Sequence, residues 1–463
     1  MNYRIERDSI GEREIPADAY YGVQSLRGHE NFHITGRPLP TEYIESLAEI
    51  KLACALTNYE CGELNKNEYE AIAQACREIL EGKFHDQFIC DAVQGSAGTT
   101  INMNANEVIA NRAIEILGGR KGDYSIIHPN DHVNRSQSTN DVVPSAGKMT
   151  AIKMLKKAQE QLRRLERALG QKEREFWDII KMGRTEMQDA VPIRLGQEFG
   201  AYKAAVSRDI GRFDIAIAEM SHVNMGGTAI GTSINAKPEY VERIVPNLAR
   251  VSGLDLKQCE NLVDGTQNLD CFAFVSSILK TCIVSLAKMS HDLMLMSSGP
   301  RTGFGEIHLP SKQNGSSIMP GKVNPVVPEV ITQISYLVIG NDTTILMAVE
   351  GGQLELNAYE PVIFYKLFES IRAITGGVET LVDNCILDIE ANEERCRDLV
   401  EHSVGIITAI TPEVGYQAAA DIAKEAIRTG KSVREVLKSK KIMSDEEADK
   451  LLDIGSMVAN QVM

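Results

Sequence analysis

"SAGKMTAIKMLKKAQEQLRRLERALGQKEREFWDII", residues 145–180, is rich in Ala, Leu, Lys, Glu and Gln, with a pause near Gly170. Residues of this kind lose little on entering a helix, and over such a length the preference adds up. "TEYIESLAEIKLACALTNYECG" (41–62) places Tyr43, Leu47, Ile50, Leu52 and Ala55 near helical spacing and runs to a glycine stop. Residues 197–221, 268–297, 326–348 and 361–384 have the same character. Several of these stretches exceed the usual helix of about 11–12 residues. Long helices pack along their length, so the middle of the chain is expected to be a bundle. Strand-forming runs with hairpin turns are rare, and the fold class expected is mainly α with little sheet.

Composition narrows the function. The chain has 463 residues, 43% of them hydrophobic, with a net charge of −15. Such acidity argues against nucleic acid, whose phosphates attract basic surfaces, but allows a local cationic pocket for a small anion. Nine cysteines lack a C-x-x-C pair, and nine histidines lack metal-ligand spacing, so reduced thiols and no metal site are expected. The N-terminus has no apolar signal-peptide core. The most apolar long stretch, 271–296, is interrupted by Lys280, Lys288, His291 and Asp292, which argues against a membrane span. A cytoplasmic protein is expected, with no membrane partner.

Four polar islands interrupt the helical pattern: "GSAGTTINMNANEVIANRA" (95–113), "HPNDHVNRSQSTND" (128–141), "GRTEMQDAVPIRLGQEFGAY" (183–202) and "GSSIMPGKVNP" (315–325). The last invites a phosphate-loop reading. Its spacing departs from that motif, because five residues separate Gly315 from Gly321 and Val323 follows Lys322. An ordinary surface loop is the plain alternative. Asn102, Asn104 and Asn106 sit at alternate positions of an expected helix, where asparagine is costly unless its amide is used. Amides and hydroxyls beside one or two cations make a receptor for carboxylates, which suggests a pocket for a small dicarboxylate.

The loop "GSSIMPGKVNP" resembles the signature loop of the fumarase/aspartase superfamily of lyases. Further blocks in family order are "RIERDSIGEREIPADAYYGVQSLR" (4–27), "GSAGTTINMNANEV" (95–108), "SQSTND" (136–141) and "GRTEMQDAVPIRLGQEF" (183–199). "MGGTAIGTSIN" (225–235), "GGQLELNAYEPV" (351–362) and "GKSVREV" (430–436) complete a set that spans the chain. The resemblance implies a three-domain fold: an N-terminal domain over 1–138, a central long-helix bundle over 139–392 and a small helical domain over 393–463. Within the last, "TGKSVREVLKSKKIMSDEEADKLLD" (429–453) reads as two short helices, the second capped by Ser444 with Glu447.

Within the superfamily, Glu186 after "GRT" and "VVPEV" after "KVNP" are similar to the aspartase branch. The fumarases have a histidine at the first position, and the alternative activity is hydration of fumarate to malate. A third possibility is a structural relative without activity, since fold does not guarantee reaction. The aspartase resemblance implies reversible deamination of L-aspartate to fumarate and ammonia, without redox or pyridoxal cofactor. It makes Ser316 the base at C3. Thr99, Ser138, Thr139 and Ser317 would hold the carboxylate that becomes an enediolate. Lys322 and Asn324 would hold the other carboxylate with Thr185, and Asn140 would orient the ammonium group. Glu186 and Glu329 would form a carboxyl pair, and His128 falls in a stretch similar to a second dicarboxylate spot of fumarases. The family also implies a homotetramer whose active sites combine residues of three subunits.

Overall fold

The computed structural model describes residues 2–458; residue 1 of the expected N-terminal domain and residues 459–463 of the C-terminal one lie outside the described residues. Long helices form Thr41–Glu60, Thr139–Glu175, Leu195–Met220, Asp270–Met296, Val326–Glu350 and Glu360–Asn384. Each falls close to the stretch expected from composition. The central helix differs in two respects. It begins at Thr139, and it continues through Gly170 without interruption. Strands are confined to four two-stranded pairings, so the molecule is mainly α.

The chain divides into two compact units. The first comprises residues 1–159, 211–281 and 337–374, and the second comprises residues 160–210, 282–336 and 375–463.

The first unit opens with an antiparallel hairpin, Tyr3–Asp8 with Gly11–Pro16. Asp8 Oδ1 accepts the N–H groups of Ile10 and Gly11 at the turn. Lys66–Leu80 begins with a capping box formed by Asn65 and Glu68, which satisfies orphan N–H groups at its start. Tyr43, Phe272, Phe364 and Phe368 pack as an aromatic cluster, with ring centroids 5.2–5.9 Å apart. Gly147 admits that cluster to the helix surface, since a Cβ there would lie 2.4 Å from Phe364 Cζ. A methyl group at this position would force the aromatic ring away.

The second unit carries the hairpin Ile180–Thr185 with Gln188–Arg194. Met182 from this hairpin shares a core with Val400, Ile406, Ile410, Ile422, Val436 and Leu437. The helices Val433–Lys440 and Asp445–Leu451 both begin with capping boxes, Ser432 with Glu435 and Ser444 with Glu447. Gly405 packs against the hairpin so closely that a Cβ would meet the Ala190 carbonyl oxygen at 2.2 Å. Ser403 Oγ donates to Asp189 at 2.6 Å beside that contact.

Asp270–Met296 is long and apolar enough to cross a membrane by length and composition alone. Its charged residues have protein partners: Lys280 pairs with Asp342 in the first unit, and Asp292 accepts from Lys288 and Tyr202 in the second. Such pairing fits a packed helix better than a lipid-facing one.

Candidate active site

The loop bearing Ser316 belongs to the second unit. Its ends are tied together: Gly315 N donates to the Lys322 carbonyl at 2.8 Å, and Asn324 Nδ2 donates to the Gly315 carbonyl at 2.7 Å. The crossing leaves no room for a side chain at Gly315, where a Cβ would lie 2.7 Å from Asn324 N. Within this closed turn, Ser316 Oγ accepts the N–H of Ile318 at 3.2 Å and of Met319 at 3.0 Å. Two backbone dipoles pointing at one hydroxyl oxygen favour its anionic form. Ser317 and Lys322 are exposed. Lys322 and Asn324 line a cleft with Pro300, His308 and Asn392.

Thr185 and Glu186 occupy the tip of the hairpin, where Glu186 and Met187 have φ of 51° and 64°. Arg184 does not pair with Glu186. Its guanidinium contacts Glu306 Oε1 at 2.8 Å and stacks 4.2 Å from the Phe304 ring centroid. Lys181 Nζ sits 3.1 Å from Glu306 Oε2 and 2.9 Å from Glu198. Glu306 is wholly buried, so one carboxylate pins two cations of the strand leading to the tip. Glu306→Ala is expected to cost about 3–5 kcal/mol of folding stability, because two cations lose their buried partner; urea denaturation measures it. Glu329 is exposed and accepts from Gln333 Nε2 at 3.2 Å. No hydrogen bond joins it to Glu186 among the described residues, so the expected carboxyl pair does not form within one chain.

Thr99, Ser138, Thr139 and Asn140 lie in the first unit. Thr99 starts the helix Thr99–Ile116 and donates to the Ser96 carbonyl at 2.9 Å. Ser138 Oγ accepts the Asn140 N–H at 3.2 Å, and Asp141 Oδ1 accepts the Ser138 N–H at 2.9 Å. Asn140 Nδ2 donates to the Ala229 carbonyl at 2.7 Å. The amide is thereby oriented, and its Oδ1 is left as an acceptor, which suits an ammonium group.

Pro144 explains part of this arrangement. Lacking an N–H, it leaves the carbonyl four residues earlier without a helical donor. That carbonyl belongs to Asn140, and Asn224 Nδ2 fills the gap at 2.9 Å. Asp141 Oδ2 accepts from Gly226 and Thr228 at 3.2 and 3.0 Å, and burial pushes the carboxyl up to about 6. The block 225–235 is therefore a support for Asn140. The sequence reading quoted it as a family block and gave it no role; Pro144 just inside the long helix was the available signal.

The alternate asparagines are not ligand groups. Asn104 accepts from Ile89 N at 2.9 Å and donates to the Gln87 carbonyl at 3.0 Å. Asn106 donates to Asn134 at 3.2 Å, and Asn102 donates to Thr139 Oγ1 at 3.2 Å. A helix side chain presents its amide to neighbouring loops more readily than to solvent when both are buried, and all three asparagines are buried. The expectation of a pocket lined by them is corrected accordingly. His128 Nδ1 accepts from Asn130 and Asp131 N at 3.1 and 3.2 Å, the geometry of a cap.

Apart from Phe84 and Lys441, every non-glycine residue described with positive φ lies in one of the quoted blocks. Such conformations cost free energy and persist where surrounding structure holds them, commonly at functional sites.

A family model described as "Lyase" matches residues 11–340, and one described as "Fumarase C C-terminus" matches residues 406–459. The chain belongs to the fumarase/aspartase superfamily of lyases. Among similar members, the aspartate ammonia-lyase of Bacillus subtilis (strain 168) is 52% identical, over 97% of this chain and 95% of its own length. A crystal structure of a fumarate lyase:delta crystallin from Brucella melitensis, bound to cobalt, matches with a TM-score of 0.96. It shows 48% identity and covers 98% of this chain and 99% of that one. A recombinant class II fumarase from Schistosoma mansoni matches with a TM-score of 0.95 but only 32% identity, covering 99% and 100% of the two chains. The superfamily fold is common to all three, while sequence separates the aspartate ammonia-lyase from the fumarase.

Proposed function

We propose that this chain is a carbon–nitrogen lyase that converts L-aspartate reversibly to fumarate and ammonia. The observation that carries the chemistry is the pair of backbone N–H groups on Ser316 Oγ. The C3 proton of aspartate is a weak acid beside an ionised carboxylate. Ser316, as an alkoxide, takes that proton, and the C–H electrons move into the adjacent carboxylate as an enediolate. Hydroxyl donors from Thr99, Ser138, Thr139 and Ser317 hold the extra charge. The enediolate then collapses, the C2–N bond breaks, and its electron pair leaves with ammonia as the double bond of fumarate forms. Lys322 and Asn324 hold the remaining carboxylate with Thr185, and Asn140 Oδ1 steers the departing nitrogen. Absorbance of fumarate formed from L-aspartate, against that from L-malate, tests the assignment. Fumarate from malate alone would make the chain a fumarase.

Glu186 takes the place of the fumarase histidine, and its neighbour Arg184 is engaged by Glu306. In the proposed site it faces Glu329 of another subunit, with one proton shared between the two carboxyls. Glu186→His should retain ammonia-lyase activity and shift its pH profile, because an imidazole titrating near about 6.5 replaces the acid pair. Superimposable profiles of the two forms remove Glu186 from the active site.

The functional unit in this reading is a homotetramer with each site drawn from three subunits. Exposed apolar side chains on the long helices favour burial against further copies: Phe274, Leu346 and Met347 in the first unit, Val284, Leu295 and Tyr336 in the second. A fully active monomer would overturn it. The same reading keeps the three-part division at 138/139 and 392/393, and a cytoplasmic location.

A further inference from the structure

Lys51 is completely buried in the first unit, on the helix Thr41–Glu60. Its ammonium has three hydrogens, and three amide oxygens receive them: Asn102 Oδ1 at 2.7 Å, Asn134 Oδ1 at 2.9 Å and Gln137 Oε1 at 2.9 Å. No carboxylate pairs with it among the described residues. A buried charge without a counter-ion is costly, which calls for a reason beyond packing.

Hydrogen-bond direction supplies one. An ammonium only donates, so Asn102 must turn its carbonyl toward Lys51 and its NH₂ away. That NH₂ donates to Thr139 Oγ1 at 3.2 Å. With its oxygen already accepting, the Thr139 hydroxyl hydrogen is free to point outward as a donor. We propose that Lys51 is a positioning residue that sets the donor polarity of the carboxylate grip, acting through Asn102 on Thr139. The relay rests on the dicarboxylate-lyase reading above and adds to it a residue that touches no substrate. It also explains why Asn102 is needed inside a helix: leucine or glutamate there could not both accept from an ammonium and donate to a hydroxyl.

The titratable groups facing Lys51 are Cys54 on its own helix, Cys76 on Lys66–Leu80 and Asp141 on Thr139–Glu175. Burial holds both thiols up to about 12, and so neutral, while the Lys51 ammonium is lowered to about 8. Deprotonation above that pH removes the fixed direction of the relay, so KM should rise there while kcat changes less.

Binding of succinate, a dicarboxylate that cannot eliminate, separates this from a packing role. Lys51→Met is expected to weaken succinate roughly 10–100-fold, the worth of one hydrogen bond to a charged group, and to abolish the alkaline rise in KM. Asn102→Asp keeps an acceptor for the ammonium but removes the donor to Thr139. It should fold at least as stably as wild type and lose succinate to the same extent. In a Thr139→Val background, either substitution should change succinate binding less than twofold. Unchanged succinate binding in Asn102→Asp, or a loss that persists with Val at 139, overturns the relay. Failure of wild type to release fumarate from aspartate would instead overturn the enzymatic reading, which succinate calorimetry does not measure.

Discussion

Ser316→Ala is expected to lower aspartate turnover by roughly 10²–10⁴-fold, the range that general-base catalysis contributes. The reason is geometric. The oxygen that takes the proton is the one on which the Ile318 and Met319 N–H groups converge, and alanine leaves them with nothing to stabilise. The loop should persist, because it is closed by Gly315 to Lys322 and Asn324 to Gly315, bonds that do not involve the serine side chain. Dicarboxylate affinity should therefore change far less than turnover, as for a group acting chiefly in the transition state. Single-turnover kinetics alongside succinate calorimetry measure both quantities. Near-normal turnover would place the base elsewhere.

Lys322→Ala is expected to weaken succinate by about 2–5 kcal/mol, the cost of removing one partner of a desolvated charge pair, and to reduce kcat/KM in parallel. Lys322 makes no hydrogen bond or ion pair among the described residues, and its ammonium lines the cleft beside Asn324. It is thus free for a ligand carboxylate, and its loss removes ground-state and transition-state attraction together. Arginine should rescue poorly, since a planar fork does not occupy the position of a compact ammonium. Wild-type affinity for succinate in Lys322→Ala would refute the assignment.

The long helices were legible because helix formers repeated over many turns outweigh local interruptions. Gly170 shows the limit: one glycine costs about 1 kcal/mol in a helix interior, too little to break so long a run, so the expected pause did not appear. The capping boxes at Ser444 and Ser432 obey local rules, and the first of them was read correctly. The loop around Ser316 was found from resemblance, and its closure by Asn324 depends on a nine-residue separation that no local rule encodes.

Long-range support was not legible. Lys51 meets Asn102, Asn134 and Gln137 from another helix, and Glu306 reaches back across 122 residues to Arg184. Asn102 was correctly judged to need a use for its amide, but the user proved to be Lys51 and Thr139. Composition records that an amide is buried, and only the fold decides which neighbour claims it.

The contact at Gly405 bears on how this chain could be recombined with its relatives. The hairpin that presents Thr185 and Glu186 meets the 403–410 segment where a single methyl group would collide with the Ala190 carbonyl. Its Asp189 is bonded to Ser403, and its Met182 lies in the same core as Ile406 and Ile410. A chimera that exchanged everything after residue 400 would therefore replace half of an interlocking joint. To be a transferable part, the C-terminal piece must travel with residues 180–194. In the language of modular assembly, the cut that looks natural along the chain is the wrong one in space.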